Sequence, residues 1–216
     1  LQEIILASAS PRRRQLLEQI GLPFVVATAD IDEELIEGCS APELVKKLAR
    51  RKAGQAARDN RRSIIIAADT MVVLDEHIMG KPVSREDAYY KLSLLSGRHH
   101  QVMTGLCVLD SSRGICDTGV EITDVYFRTL RPEEIDAYLD WGEWVDKAGG
   151  YGIQGKGALL IEKIEGCYFN VVGLPINRLY IMLGKQGVYL LGGKTPDGLP
   201  VWDQRYAPGD ASPGET

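Results

Sequence analysis

The sequence predicts an α/β protein, a mixed and twisted sheet flanked by helices, in two lobes with a cleft between them. Helix and strand patterns alternate from the N-terminus as far as Leu95, and a long β-rich pair with an antiparallel reading occupies the middle. The composition, 44% apolar and 25% charged over 216 residues, is that of a globular protein able to bury a substantial core.

Residues 3–7 read as a short strand. Residues 10–20 follow as a helix with Ser10 at the N-cap, Pro11 at the first helical position and Gly21 as the stop. Residues 23–28 form a second strand, and a long helix spans 40–60, opened by Ser40 and Pro42 and closed by Asn60. The nearly all-apolar stretch 63–68 suits a strand buried on both faces, and 71–79 a hairpin or strand pair turned at Asp75 and Glu76. Ser84 caps a helix over 84–95, with Asp87 where a capping box carries Glu. Residues 101–109 and 115–128 pair as an antiparallel hairpin across a turn at 110–114. A helix over 132–141, a strand over 158–164 and a helix over 174–183 complete a domain taken as residues 1–191. Beyond it, 9 of the 25 residues at 192–216 are Gly or Pro, a composition that does not repay its ordering entropy. This segment reads as a flexible tail that Trp202 or Tyr206 can dock.

Several function classes fall away on composition. With 25 Lys and Arg against 30 Asp and Glu, the net charge of −5 excludes a globally basic nucleic-acid coat, so no stable nucleic-acid partner is expected. The longest apolar run, at 64–68, is far below the ~18–20 residues of a membrane span. The apolar residues of the N-terminus precede Arg12, Arg13 and Arg14, the reverse of a secretion signal, and a cytoplasmic chain is expected. Four cysteines without a C-x-x-C pair read as structural thiols.

Chemistry concentrates in three places. In Ser8-Ala9-Ser10-Pro11-Arg12-Arg13-Arg14 a strand gives way at once to a helix N-terminus, whose unpaired N–H groups and positive partial charge favour an anion. Arginines in a first turn oppose the helix dipole, and an oxygen-rich anion gripped by guanidinium forks explains them; solvated arginines are the alternative, which suits Arg14 best. Asp69 closes the apolar strand at the end where open sheets gather ligands, placed to hold a magnesium ion or take a proton from water, or merely to start a turn. Lys52 lies on or beside the apolar stripe of the long helix and needs an anionic partner or a route to water. Lys81 sits in the rigid turn Gly80-Lys81-Pro82.

The third place is the segment 146–155. Gly150, Gly152 and Gly155 satisfy G-x-G-x-x-G, but a helix precedes and a strand follows, the wrong flanks for a dinucleotide fingerprint. The glycines suit close backbone approach to a ligand, with the Gln154 amide placed to read a base edge. No P-loop pattern occurs. His99 and His100 read as surface or hairpin residues, and Glu33 as a second metal ligand or part of an acidic loop.

Taken together, Ser8-x-Ser10-Pro11-Arg12-Arg13, Asp32-Glu33, Arg51-Lys52-Ala53, Ala68-Asp69-Thr70, Gly80-Lys81-Pro82, Leu95-Ser96-Gly97, Val102-x-Thr104-Gly105, the stretch 146–155 and Asn170-Val171-Val172-Gly173-Leu174-Pro175 resemble the Maf family of nucleoside triphosphate pyrophosphatases over residues 4–183. The resemblance implies a two-lobed Maf/ITPase-like fold, hydrolysis of a nucleoside triphosphate to monophosphate and pyrophosphate, a divalent cation (magnesium, with manganese or cobalt as substitutes) and a homodimer. Asp69-Thr70 is similar to the branch acting on dTTP and UTP. Asp69 falls on the family's catalytic acid, and Arg12, Thr70 and Gln154 on positions tied to pyrimidine choice. By their chemistry, Ser8, Arg13, Lys52 and Lys81 would grip the triphosphate, with Asp69 and Glu33 on the metal. Trp144 departs from the family, where proline is common. A non-catalytic nucleotide-binding regulator of cell division or DNA maintenance is the alternative function.

Overall fold

The computed structural model describes residues 2–28 and 38–191. Glu33 and the tail at 192–216 lie outside the described residues. The chain runs β1 (Glu3–Leu6), α1 (Pro11–Gln19), β2 (Val25–Val26), α2 (Ala41–Ala57), β3 (Ser63–Leu74), β4 (His77–Met79), α3 (Arg85–Leu95), β5 (His99–Asp110), β6 (Ile115–Phe127), α4 (Pro132–Asp140), β7 (Ile161–Glu165), α5 (Tyr168–Val172) and α6 (Ile176–Lys185). One seven-stranded sheet has the order β2-β1-β3-β5-β6-β7, with β4 added to β3. The pairs β1–β2 and β1–β3 are parallel, and all others are antiparallel.

The edge of β3 facing away from β5 forks. Residues 63–66 pair with β1 and residues 72–74 with β4, so the stretch 67–71 has no strand on that side among the described residues. Asp69 and Thr70 occupy the fork. Because successive side chains alternate, they point to opposite faces of the sheet.

On each face these polar residues separate two apolar clusters. On one face Ile66, Ala68 and Leu106 pack with α1 and α6, while Val72 and Val102 pack with α3 and α4. Thr70 and its register partner Thr104 lie between them. On the other face α2 covers the sheet: Ala49 and Ala53 meet Ile65 and Ala67, and Val45 meets Val73 and Met103. Asp69 and its partner Gly105 interrupt that face. The two expected lobes are therefore two cores laid end to end on continuous strands.

Several sequence expectations need correction. The apolar strand does not end at residue 68: β3 continues to Leu74, because β5 pairs with it from Ile64 to Val73. Asp69 is thus mid-strand, and the ligand-gathering end belongs to β1. The expected strand at 23–28 shrinks to Val25–Val26, a sheet edge held by β1 alone. Residues 158–160 belong to a 3-10 segment, Gly155–Leu160, and the strand starts only at Ile161. The expected helix at 174–183 is α6, starting at Ile176 after Pro175, and α5 precedes it unforeseen. His100 lies in the β5–β6 hairpin, one of the two readings, but not on the surface: it is 2% exposed, between Phe127 and Tyr151, with Nε2 2.6 Å from the Tyr151 hydroxyl. The alternation that exposes His99 turns its neighbour inward.

Capping follows the sequence in part. Ser84 Oγ accepts from Asp87 N at 3.1 Å, but the Asp87 carboxylate accepts from Val83 N instead of completing the box. Cys107 is fully buried with Sγ 3.4 Å from Cys116 Sγ, and burial pushes its thiol up. No helix among the described residues is long and apolar enough to cross a membrane.

Candidate active site

A cleft of about 800 Å³ opens at the fork in β3, lined by the β1–α1 loop, α2, the β4–α3 turn, residues 146–148 and Gly173. Ser8, Arg12, Arg13, Lys52, Asp69, Thr70 and Lys81 all line it. The cations come from three separate stretches of chain, and they converge where β1 ends and β3 continues paired with β5.

Lys52 Nζ lies 2.5 Å from Asp69 Oδ1, with side chains only 12% and 10% exposed. Lys52 lies seven residues, about two helical turns, beyond Val45 on the face of α2 that rests on the sheet. That contact depends on Gly105: a Cβ there would fall 2.2 Å from the carbonyl carbon and oxygen of Val45. The missing side chain lets α2 approach β3 and β5 closely enough for Lys52 to reach the acid.

Arg13 is fixed through all three guanidinium nitrogens. Nε donates to Gly173 O at 2.8 Å, Nη1 to Ser8 Oγ at 3.0 Å and Nη2 to Thr70 Oγ1 at 3.1 Å. Gly173 accepts in this way because it ends α5 at φ 118°, a conformation that disfavours a side chain. Behind Thr70 a polar chain crosses the seam between the cores. Thr70 Oγ1 is 2.9 Å from Thr104 Oγ1, which donates to Asn170 O, and Asn170 Nδ2 donates to Val102 O and Thr123 Oγ1. Sequence reasoning gave Thr104 and Asn170 no role; their signal is a polar type where the strand or helix pattern demands an apolar one.

At the opposite rim Asp146 bridges two cations. Arg12 Nη1 donates to Oδ2 at 3.1 Å and Lys147 Nζ to Oδ1 at 2.6 Å. Burial works against the charged form of Asp146, but the Lys147 hydrogen bond and the Arg12 charge outweigh it and hold the carboxyl below its usual range. The Lys147 stem lies over Gly152, where a Cβ would come within 2.7 Å of Cε.

The glycines of this segment make room for protein more than for ligand, contrary to the sequence reading. Gly149 packs under Val72, Gly150 against Pro82 and Gly155 against the Glu143 carboxylate. Gln154 precedes the 3-10 segment and is not among the residues lining the cleft. Asp146, Lys147 and Gly152 line it instead.

The Maf-like protein family model matches residues 3–186. The chain belongs to the Maf family. Relatives named dTTP/UTP pyrophosphatase include that of Desulforamulus reducens, 48% identical over 191 residues, covering 88% of this chain and 100% of the relative. The Acetivibrio thermocellus relative of the same name is 50% identical over 196 residues, covering 88% and 98%. That of Syntrophomonas wolfei is 46% identical over 186 residues, covering 86% and 98%. Trp144 is docked: Nε1 donates to Leu139 O at 2.9 Å and the ring packs against the α3–α4 core.

Asp69, on the cleft wall, could take part in holding a divalent cation. Magnesium ordinarily takes one or two carboxylates, phosphate oxygens and waters, and Asp69 supplies a carboxylate on the inner wall. Among the described residues no group of three His, Cys, Asp or Glu forms a complete metal cage.

Proposed function

We propose that this Maf protein hydrolyses the α–β phosphoanhydride of UTP and dTTP, releasing the nucleoside monophosphate and pyrophosphate. The observation that carries this reading is the convergence of Arg13, Lys52 and Lys81, from three distant stretches, on one cleft around Asp69. The names of its relatives point the same way.

A triphosphate brings roughly four negative charges, which an acidic protein must meet locally. Arg13 presents a guanidinium already oriented by Ser8, Thr70 and Gly173, so little ordering is lost on binding. Lys81 adds a cation from the facing rim. Asp69, held in place by Lys52, accepts the proton of a water attacking the α-phosphorus; the bond to the bridging oxygen breaks and its electron pair leaves with pyrophosphate. Asp69 and Glu33 would hold magnesium, with manganese or cobalt as substitutes, and the ion when bound supplies charge neutralisation to the phosphates. The same reading takes the chain as a cytoplasmic homodimer, to be checked by sedimentation and cell fractionation.

The test is a nucleoside triphosphate panel with magnesium, scored for pyrophosphate. Release from UTP and dTTP well above that from ATP, GTP and CTP is the expected result. Tight binding of UTP without pyrophosphate would mark a sensor instead.

A further inference from the structure

The cleft lining carries three charged groups in contact: the Arg12 guanidinium, the Asp146 carboxylate and the Lys147 ammonium, joined at 3.1 and 2.6 Å. Taken along these contacts, the order is donor, acceptor, donor. The hydrogen-bonding edge of uracil and thymine is acceptor, donor, acceptor, from O4, N3–H and O2, and is the complement of that array. Cytosine presents donor, acceptor, acceptor, while guanine presents acceptor, donor, donor; neither matches at all three places.

We propose that Asp146 determines base specificity: its carboxylate accepts from N3–H of uracil or thymine while Arg12 and Lys147 donate to the flanking carbonyl oxygens. This inference rests on the pyrimidine triphosphatase reading above and adds a base contact from Asp146, which lines the cleft.

The existing pairs do not block the contact. A carboxylate has about four lone-pair sites and two are used here; guanidinium has five N–H donors and ammonium three, so each cation keeps donors to spare. Arg12 and Lys147 are held at 26% and 19% side-chain exposure, Lys147 by its contact with Gly152. That burial limits the competition from water which weakens hydrogen bonds at a fully open rim.

The decisive probe is 3-methyl-UTP, which keeps both carbonyls and the triphosphate but replaces N3–H by a methyl group. Wild-type protein should process it with kcat/KM roughly tenfold or more below that for UTP, in line with rejection by a site built to hydrogen-bond the missing group. Asp146→Leu, which has no acceptor, should lower kcat/KM for UTP and dTTP by a similar factor and by more than for CTP, and should process UTP and 3-methyl-UTP at similar rates. A purely structural role for Asp146 would lower every substrate together.

Should Asp146→Leu fail to fold, Asp146→Asn keeps the shape, gains an N–H that can donate to cytosine N3, and must lower the UTP to CTP ratio. The proposal is overturned if wild-type protein processes 3-methyl-UTP as it does UTP, or if the UTP to CTP ratio survives in a folded variant. Absence of pyrophosphate from every nucleotide would sink the pyrophosphatase reading alone. Titration calorimetry of UTP against 3-methyl-UTP would then decide the base contact, equal affinities overturning it.

Discussion

Lys52 Nζ meets Asp69 Oδ1 at 2.5 Å, and a residue belonging to neither element sets that distance: Gly105 of β5, over which the backbone of α2 passes at Val45. The Asp69 carboxylate is therefore positioned by packing as much as by its own strand. Both charges are largely withdrawn from water, so the pair is better understood as fixing geometry than as a source of stability.

Asp69→Asn tests the acid directly. The amide keeps the shape and loses the proton acceptor, so kcat should fall by about 10² to 10⁴, the range associated with a positioned base, while KM changes little. Pyrophosphate release and nucleotide titration on the same preparation separate the two effects.

Gly105→Ala tests the packing. The added methyl group must displace α2 or bend β5, and overpacking of this kind costs about 1 to 3 kcal/mol. Urea denaturation should show the loss, and activity should fall by more than the folded fraction does, because Lys52 moves with its helix.

Arg13→Lys keeps the charge and removes the fork. An ammonium cannot reproduce the simultaneous bonds to Ser8, Thr70 and Gly173, so the cation loses its orientation. KM for UTP should rise about tenfold, as expected for loss of a single charge-assisted hydrogen bond, and the buried Thr70 to Asn170 chain should leave thermal stability only slightly lowered.

His100 gives the protein a pH signature. Burial, and to a smaller extent the neighbouring His99, push its pKa down from 6.5 to about 3. Between those values the unfolded chain binds the proton and the folded chain does not, so this contribution is complete above pH 6.5 and is lost as pH falls towards 3. The slope is about 1.4 kcal/mol per pH unit from this one group. Urea midpoints measured from pH 7 to 4 should fall less steeply for His100→Gln than for the parent.

Much of this was legible before any coordinates. The Ser8–Arg13 segment announced itself by placing arginines against a helix dipole, Lys52 by standing at an apolar stripe, and Asp69 by ending an apolar run. All three line the cleft. What the sequence hid was non-local. Nothing in residues 63–74 says that pairing with β5 outlasts pairing with β1, and that difference alone makes the fork. Asp146 and Lys147 passed as part of a glycine-rich loop, because their meaning lies in an ion pair with Arg12, 134 residues away. Gln154 was read from its chemistry and its family position, and it stands two residues beyond Gly152, which lines the cleft.

The two cores share β3 and β5 without a break, so neither owns a complete sheet. Cutting the chain into an N-terminal and a C-terminal piece should yield fragments that fold only when mixed, and melting should register as one cooperative event. Changes in the width of the cleft must likewise come from flexing those strands, since no linker joins the halves. Catalytic opening and global rigidity are in this way drawn from the same few strands.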